Sequence, residues 1–145
     1  IADDVFQKEV FGAFALMVVY DSPNELMEAA KKLHGQLTIT VWGDIPELKQ
    51  NAALINILEE KCGRLLFAGV PTGVEVGYAM QHGGPYPSTT DSRSTSVGAS
   101  AIKRFARPIA FQDMPADLLP DALKNDNPLK IVRQVNGKFT VEKIK

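Results

Sequence analysis

The sequence predicts an α/β fold: a parallel-sheet βαβαβ segment, then a long ordered loop and a C-terminal tail. Strand-length apolar runs stand at 14–20, 36–42 and 64–69, separated by stretches with helical apolar spacing. Each of those stretches opens on a capping residue with Glu three positions later, the capping-box pattern. Strand, helix, strand, helix, strand at these lengths implies right-handed parallel crossovers.

The first run, "FALMVVY" at 14–20, is continuously apolar, as a parallel strand covered on both faces reads. In "DSPNELMEAAKKLHG", Ser22 caps, Pro23 suits the first helical position and Glu25 completes the box. Leu26, Ala30 and Leu33 recur at helical spacing. Lys31, Lys32 and His34 suit the negative pole, and Gly35 is expected to supply a left-handed stop. "QLTITVW" alternates Leu37, Ile39 and Val41 with threonines, so one face is wetter. Asp44 and Glu47 then open a helix expected over 46–61, traced by Leu48, Ala52, Ile55, Leu58 and Glu59, with Gly63 ending it. "RLLFAG" reads as the third buried strand.

Periodicity fades from Gly69 to Ser96. A structureless stretch of that length inside a compact domain marks a functional loop or one built to pack on another surface. Its heart, "HGGPYPSTTDSRSTSVG" at 82–98, holds almost no large aliphatic side chains and cannot build a core. It is expected to be ordered only by packing against another surface. "VGASAIKRFARPIAF" restores a short helix and a strand near 107–112. Proline-split turns follow, and "NG" at 136–137 between "KIVRQV" and "KFTVEKI" predicts a hairpin whose last strand is an edge. The functional division expected is 1–113 and a tail, 114–145, offering an oligomer contact.

Composition narrows the classes. The 145 residues are 45% hydrophobic and 23% charged with a net charge of −1, as in an ordinary globular domain. No basic run marks a nucleic-acid surface, and no apolar run reaches the roughly 20 residues a membrane span needs. "IADDVFQKEV" carries acids where a signal peptide needs a basic start. Starting on Ile, the chain reads as a processed or truncated piece. One cysteine excludes an internal disulfide and fits a cytoplasmic location.

Cys62 stands at the expected helix end, where the dipole raises a thiol pKa, so it reads as structural and not as a nucleophile. His34 and His82 have no partners at metal-ligand spacing. His34 is a helix-end residue, whereas His82 lies in the unusual loop. The glycine pair and hydroxyls there allow a phosphate cradle at the start of the helix near Val97, but they match neither GxxxxGK[ST] nor GxGxxG. Asp91 and Arg93 are expected to pair locally.

"KEVFGAF" at 8–14 and "PTGVEVGYAMQHGGPYPSTTDSRSTSVG" at 71–98 resemble the C-terminal part of aldehyde dehydrogenases, and "ARPIAFQDMPADLLP" and "NDNPL" extend the resemblance into the tail. The longer motif resembles the branch oxidising 2-oxoglutarate semialdehyde (2,5-dioxovalerate), close to NADP-dependent fatty aldehyde dehydrogenases. The resemblance implies the last part of a catalytic domain, with NADP or NAD as cofactor in the intact enzyme. It also implies an aldehyde substrate, the remainder of the dehydrogenase chain as partner, and a homo-oligomer (dimer or tetramer). The family's nucleophilic cysteine and general-base glutamate lie upstream of the EVFG motif, so the chain alone is expected to be inactive. The alternative is a stand-alone, non-catalytic binding or interaction module derived from this fold. By resemblance, Glu9 binds the nicotinamide ribose hydroxyls and Phe11 packs near the nicotinamide ring, while Ala13 replaces the family's usual proline. Val70, Thr72 and His82 map onto the substrate tunnel.

Overall fold

A computed structural model describes residues 3–144. The chain divides into two compact units, Ile1–Arg107 and Pro108–Lys145.

The first unit is built on two parallel strands, β1 (Gln36–Val41) and β2 (Cys62–Phe67), in register from Gln36 opposite Cys62 to Val41 opposite Phe67. Before them, helix α1 (Pro23–Lys31) starts as its sequence dictates. Ser22 Oγ accepts from the Glu25 amide at 3.3 Å, and the Glu25 carboxylate reaches back to the Asp21 amide at 2.8 Å. The crossover from β1 to β2 carries two helices, α2 (Ile45–Gln50) and α3 (Ala52–Glu59), where one helix over 46–61 was expected. Asp44 caps α2 through the Glu47 amide at 2.8 Å. The break falls at Asn51, whose side-chain amide donates to the Glu47 carbonyl at 2.9 Å; such local bonding competes with helical continuation. α3 ends at Glu59, so Cys62 begins β2 and does not close a helix.

Gly35 and Gly63 do not serve as helix stops. Neither has a positive φ; each is glycine because backbone lies against it, as described below. α1 packs on α3 and α3 on β2. Ala30 and Leu58 are the buried apolar centre of this packing. They sit in an apolar groove with Val18, Tyr20, Leu26 and Leu54.

Residues 14–20 belong to no ladder among the described residues, although a strand was expected there. Their burial still alternates as a strand's does. Leu16 and Val18 are each 47% exposed, against 87% for Met17 and 83% for Val19. Val18 and Tyr20 face the helices. The segment has the sidedness of a strand without a neighbour to bond to. Residues 107–112 likewise lack ladder partners among the described residues, while the helix before them is present as a 3₁₀ helix, Ala99–Phe105.

The second unit consists of two 3₁₀ turns, Ala116–Leu118 and Asp121–Leu123, and the expected hairpin. Its strands are β3 (Arg133–Val135) and β4 (Lys138–Thr140), joined by Asn136 and Gly137 at φ 50° and 82°. Positive φ at both central residues is the turn that "NG" favours. Asn127, 4% exposed, ties the unit together. Its side chain donates to the Ile131 and Val141 carbonyls at 3.0 and 2.8 Å and accepts from the Ile131 amide at 3.2 Å.

Candidate functional site

The long loop is anchored on its own chain, contrary to the expectation that only another surface would order it. From Ala68, whose amide still bonds to the Val41 carbonyl at 2.9 Å, the chain leaves β2 and returns along it. The strip His82–Tyr86 then crosses the first residues of both strands. A Cβ on Gly63 would stand 2.0 Å from the Gly83 carbonyl oxygen, and one on Gly35 2.0 Å from that of Pro85. Gly84 has φ 151°, and a Cβ there would meet the Gln36 carbonyl and Ser88 Oγ at 2.6 Å. Two glycines in the strip and two beneath it allow backbone to lie on backbone.

His82 is held through its peptide groups. Its amide donates to Thr95 Oγ1 at 2.8 Å, and its carbonyl accepts from both the amide and the hydroxyl of Ser96 at 3.0 Å each. Thr95 is 3% exposed, and its hydroxyl donates to the Val97 carbonyl at 2.7 Å. It accepts from the His82 and Val97 amides, which uses its one donor and two acceptor positions fully. The imidazole Nδ1 of His82 is enclosed without a hydrogen-bond partner among the described residues.

Val70 and Thr72 lie past the end of β2, joined by a tight turn in which the Thr72 amide donates to the Val70 carbonyl at 2.8 Å. Both are exposed. The contact that links this turn region to the strip near His82 comes from Arg64, on β2. Its Nη1 lies 3.4 Å from the Gly73 carbonyl and 3.9 Å from Met80 Sδ, and its Nε is enclosed without a partner among the described residues. Sequence reading passed over Arg64 and Thr95. Neither stands in a motif whose chemistry is local; the signal for Thr95 is only its place in a hydroxyl-rich run.

Glu9 and Phe11 lie on exposed backbone after the 3₁₀ turn Asp4–Gln7. The Glu9 carboxylate has no hydrogen bond or ion pair among the described residues, and the Phe11 ring is 91% exposed. A free carboxylate and an open ring two residues apart suit a sugar hydroxyl pair and a flat heterocycle. No hydrogen bond or ion pair among the described residues joins them to Val70, Thr72 or His82.

The other candidates resolve into structure. Burial raises the Cys62 thiol pKa above its ordinary value, and its Sγ–H points to the Leu58 carbonyl at 3.4 Å. The direction is the one expected; the cause is desolvation and not a helix end. His34 Nε2 sits 3.3 Å from Asp4 Oδ1. Asp91 accepts from Arg93 Nε at 3.0 Å and from its amide at 3.1 Å, and Arg93 holds that carboxyl below the usual range. The phosphate cradle fails because its amides are taken: those of Ser96, Val97 and Ala99 bond to His82, Thr95 and Gly77. No His, Cys, Asp and Glu group among the described residues could hold a metal, and none of their helices is long and apolar enough to cross a membrane.

No protein-family model matches the chain. It is 52% identical over 134 residues to an alpha-ketoglutaric semialdehyde dehydrogenase of Acinetobacter baylyi, covering 92% of this chain and 26% of that protein. It is 47% identical over 138 residues to alpha-ketoglutaric semialdehyde dehydrogenase 2 of Azospirillum brasilense, covering 95% of this chain and 26% of that one. The chain thus spans about a quarter of the length of the curated relatives it matches. Over nearly its whole length the chain is thus similar to part of two proteins named as semialdehyde dehydrogenases, consistent with a C-terminal piece of an aldehyde dehydrogenase.

Proposed function

We propose that the chain is the C-terminal segment of an NAD(P)-dependent aldehyde dehydrogenase that converts 2-oxoglutarate semialdehyde, with water, to the dicarboxylic acid. The observation that carries this is the 47–52% identity to two enzymes bearing that name, over more than nine-tenths of this chain. In the intact enzyme a bound NAD(P)+ would supply the hydride acceptor, with Glu9 and Phe11 the residues of this chain that would hold it. The thiolate that attacks the aldehyde and the base that activates water come from outside this chain.

This chain's own part is binding. Glu9 offers two carboxylate oxygens to the ribose hydroxyls, fixing the sugar that carries the nicotinamide. Phe11 covers one side of the ring and excludes water there. Val70 and Thr72 line the aldehyde's approach, and His82 stands on the rigid strip beside it. The tail 114–145 makes a subunit contact in a cytoplasmic homo-oligomer.

The test is Glu9→Gln in the full-length enzyme, assayed for NAD(P)H formation from 2-oxoglutarate semialdehyde. Losing a charge-assisted bond to a ribose hydroxyl is worth about 1.5–3 kcal/mol, a loss of roughly ten- to a hundredfold in cofactor affinity or turnover. Unchanged cofactor affinity and turnover would remove Glu9 from the cofactor site.

A further inference from the structure

A hydroxyl run in a loop usually faces water, yet Thr95 is nearly sealed from it and every hydrogen-bonding position of its hydroxyl is used. Its neighbour Ser96 brings two donors, amide and hydroxyl, to the carbonyl of His82. Together they take both peptide groups of one residue, thirteen and fourteen positions away in the chain. The strip on which His82 sits is pressed on its other side against Gly63 and Gly35, where no side chain fits. His82 therefore has a fixed backbone, while its imidazole Nδ1 is left without a protein partner among the described residues.

We infer that Thr95 and Ser96 are positioning residues that clamp the backbone of His82 and so fix the place on the aldehyde path from which its side chain projects. The inference rests on the reading of His82 as a tunnel residue. Without the Thr95 hydroxyl, the His82 amide and the Val97 carbonyl lose their partner in a buried place, which favours a shifted strip. A shifted strip moves the tunnel wall directly. Glu9 and Phe11, by contrast, share no hydrogen bond or ion pair with Val70, Thr72 or His82 among the described residues and meet the strip only indirectly, through Gln7 and the His34–Gly35 backbone.

The experiment compares Thr95→Val, Thr95→Ser, Ser96→Ala and His82→Ala in the full-length enzyme, with 2-oxoglutarate semialdehyde and NADP+ as substrates. Thr95→Val should lower kcat/KM for the aldehyde about tenfold, mostly through KM, with the KM for NADP+ unchanged. Thr95→Ser, which keeps the hydroxyl, should restore most of it. Ser96→Ala should act in the same direction by about two- to threefold, since the Ser96 amide still holds the carbonyl; it decides the matter if Thr95→Val does not fold. Wild-type aldehyde KM in Thr95→Val, with a raised KM in His82→Ala, would overturn the clamp while leaving the tunnel reading standing. A normal aldehyde KM in His82→Ala would overturn the tunnel reading itself, and the clamp with it. A loss in Thr95→Val shared equally by aldehyde and NADP+ would show general loosening and also overturn the clamp.

Discussion

Gly63 shares with Gly35 the closest backbone approach among the described glycines. A methyl group there would stand 2.0 Å from the Gly83 oxygen, far inside any real contact, so either β2 or the strip must move. Gly63→Ala should therefore destabilise the full-length protein by about 1–3 kcal/mol or more, as overpacking does. Gly73→Ala is the matched control, because a Cβ there meets nothing within 4 Å. Equal urea midpoints for the two variants would mean that the strip does not lie on β2. Cys62 makes a second residue-scale prediction. Its folded pKa is raised from an ordinary 9.0 because burial disfavours the thiolate. The folded state thus holds the proton more tightly. The resulting contribution to stability is present below the unfolded pKa and is lost as pH rises through the folded one. At pH 8 iodoacetamide should alkylate Cys62 more slowly than it alkylates free glutathione; faster alkylation would indicate an activated thiol.

Elements whose instructions are local were legible before the structure. Ser22 and Asp44 start helices because their oxygens meet amides three residues on, and Asn136–Gly137 turns a hairpin because both tolerate positive φ. The parallel pairing of β1 and β2 followed from capped helical segments between strand-length runs. What was misread depended on partners distant in sequence. Residues 14–20 have the composition and the sidedness of a strand, but a ladder needs a neighbour, and hydropathy does not name one. The loop's composition implied a foreign surface, whereas glycines at 35 and 63 provide one within the chain. Of the proposed site, the residues carried by a motif resemblance (Glu9, Phe11, His82) could be named, while Thr95 and Arg64 act through bonds across 13 and 9 or more positions and left no pattern. The unladdered segment is itself testable. With Met17 and Val19 open on one side and unpaired backbone along it, it is an edge that invites strand pairing. In the isolated chain, Met17→Lys with Val19→Lys should shift light scattering towards the monomer, and unchanged self-association would place the contact elsewhere.

At the scale of the molecule, exposed apolar surface dominates. Among the described residues the buried apolar side chains are Ala30 and Leu58, while Phe11, Met17, Val19, Tyr78, Phe105 and Phe139 lie largely open. The accessible surface is 11,611 Å². Two separate compact bodies with the lengths of the two units would together expose roughly 8,600 Å². The excess is what faces built for a larger neighbour leave uncovered, and it agrees with a chain spanning about a quarter of its relatives' length. Isolated residues 1–145 should therefore self-associate and should carry binding residues without the chemistry. The most direct measurement is NAD(P)H formation from 2-oxoglutarate semialdehyde by the full-length enzyme and, in parallel, by the purified 145-residue chain and its Cys62→Ser variant. The account predicts turnover by the full-length enzyme and none by either form of the isolated chain. Turnover by the isolated chain that survives Cys62→Ser, or a full-length protein that does not oxidise the semialdehyde, would contradict it.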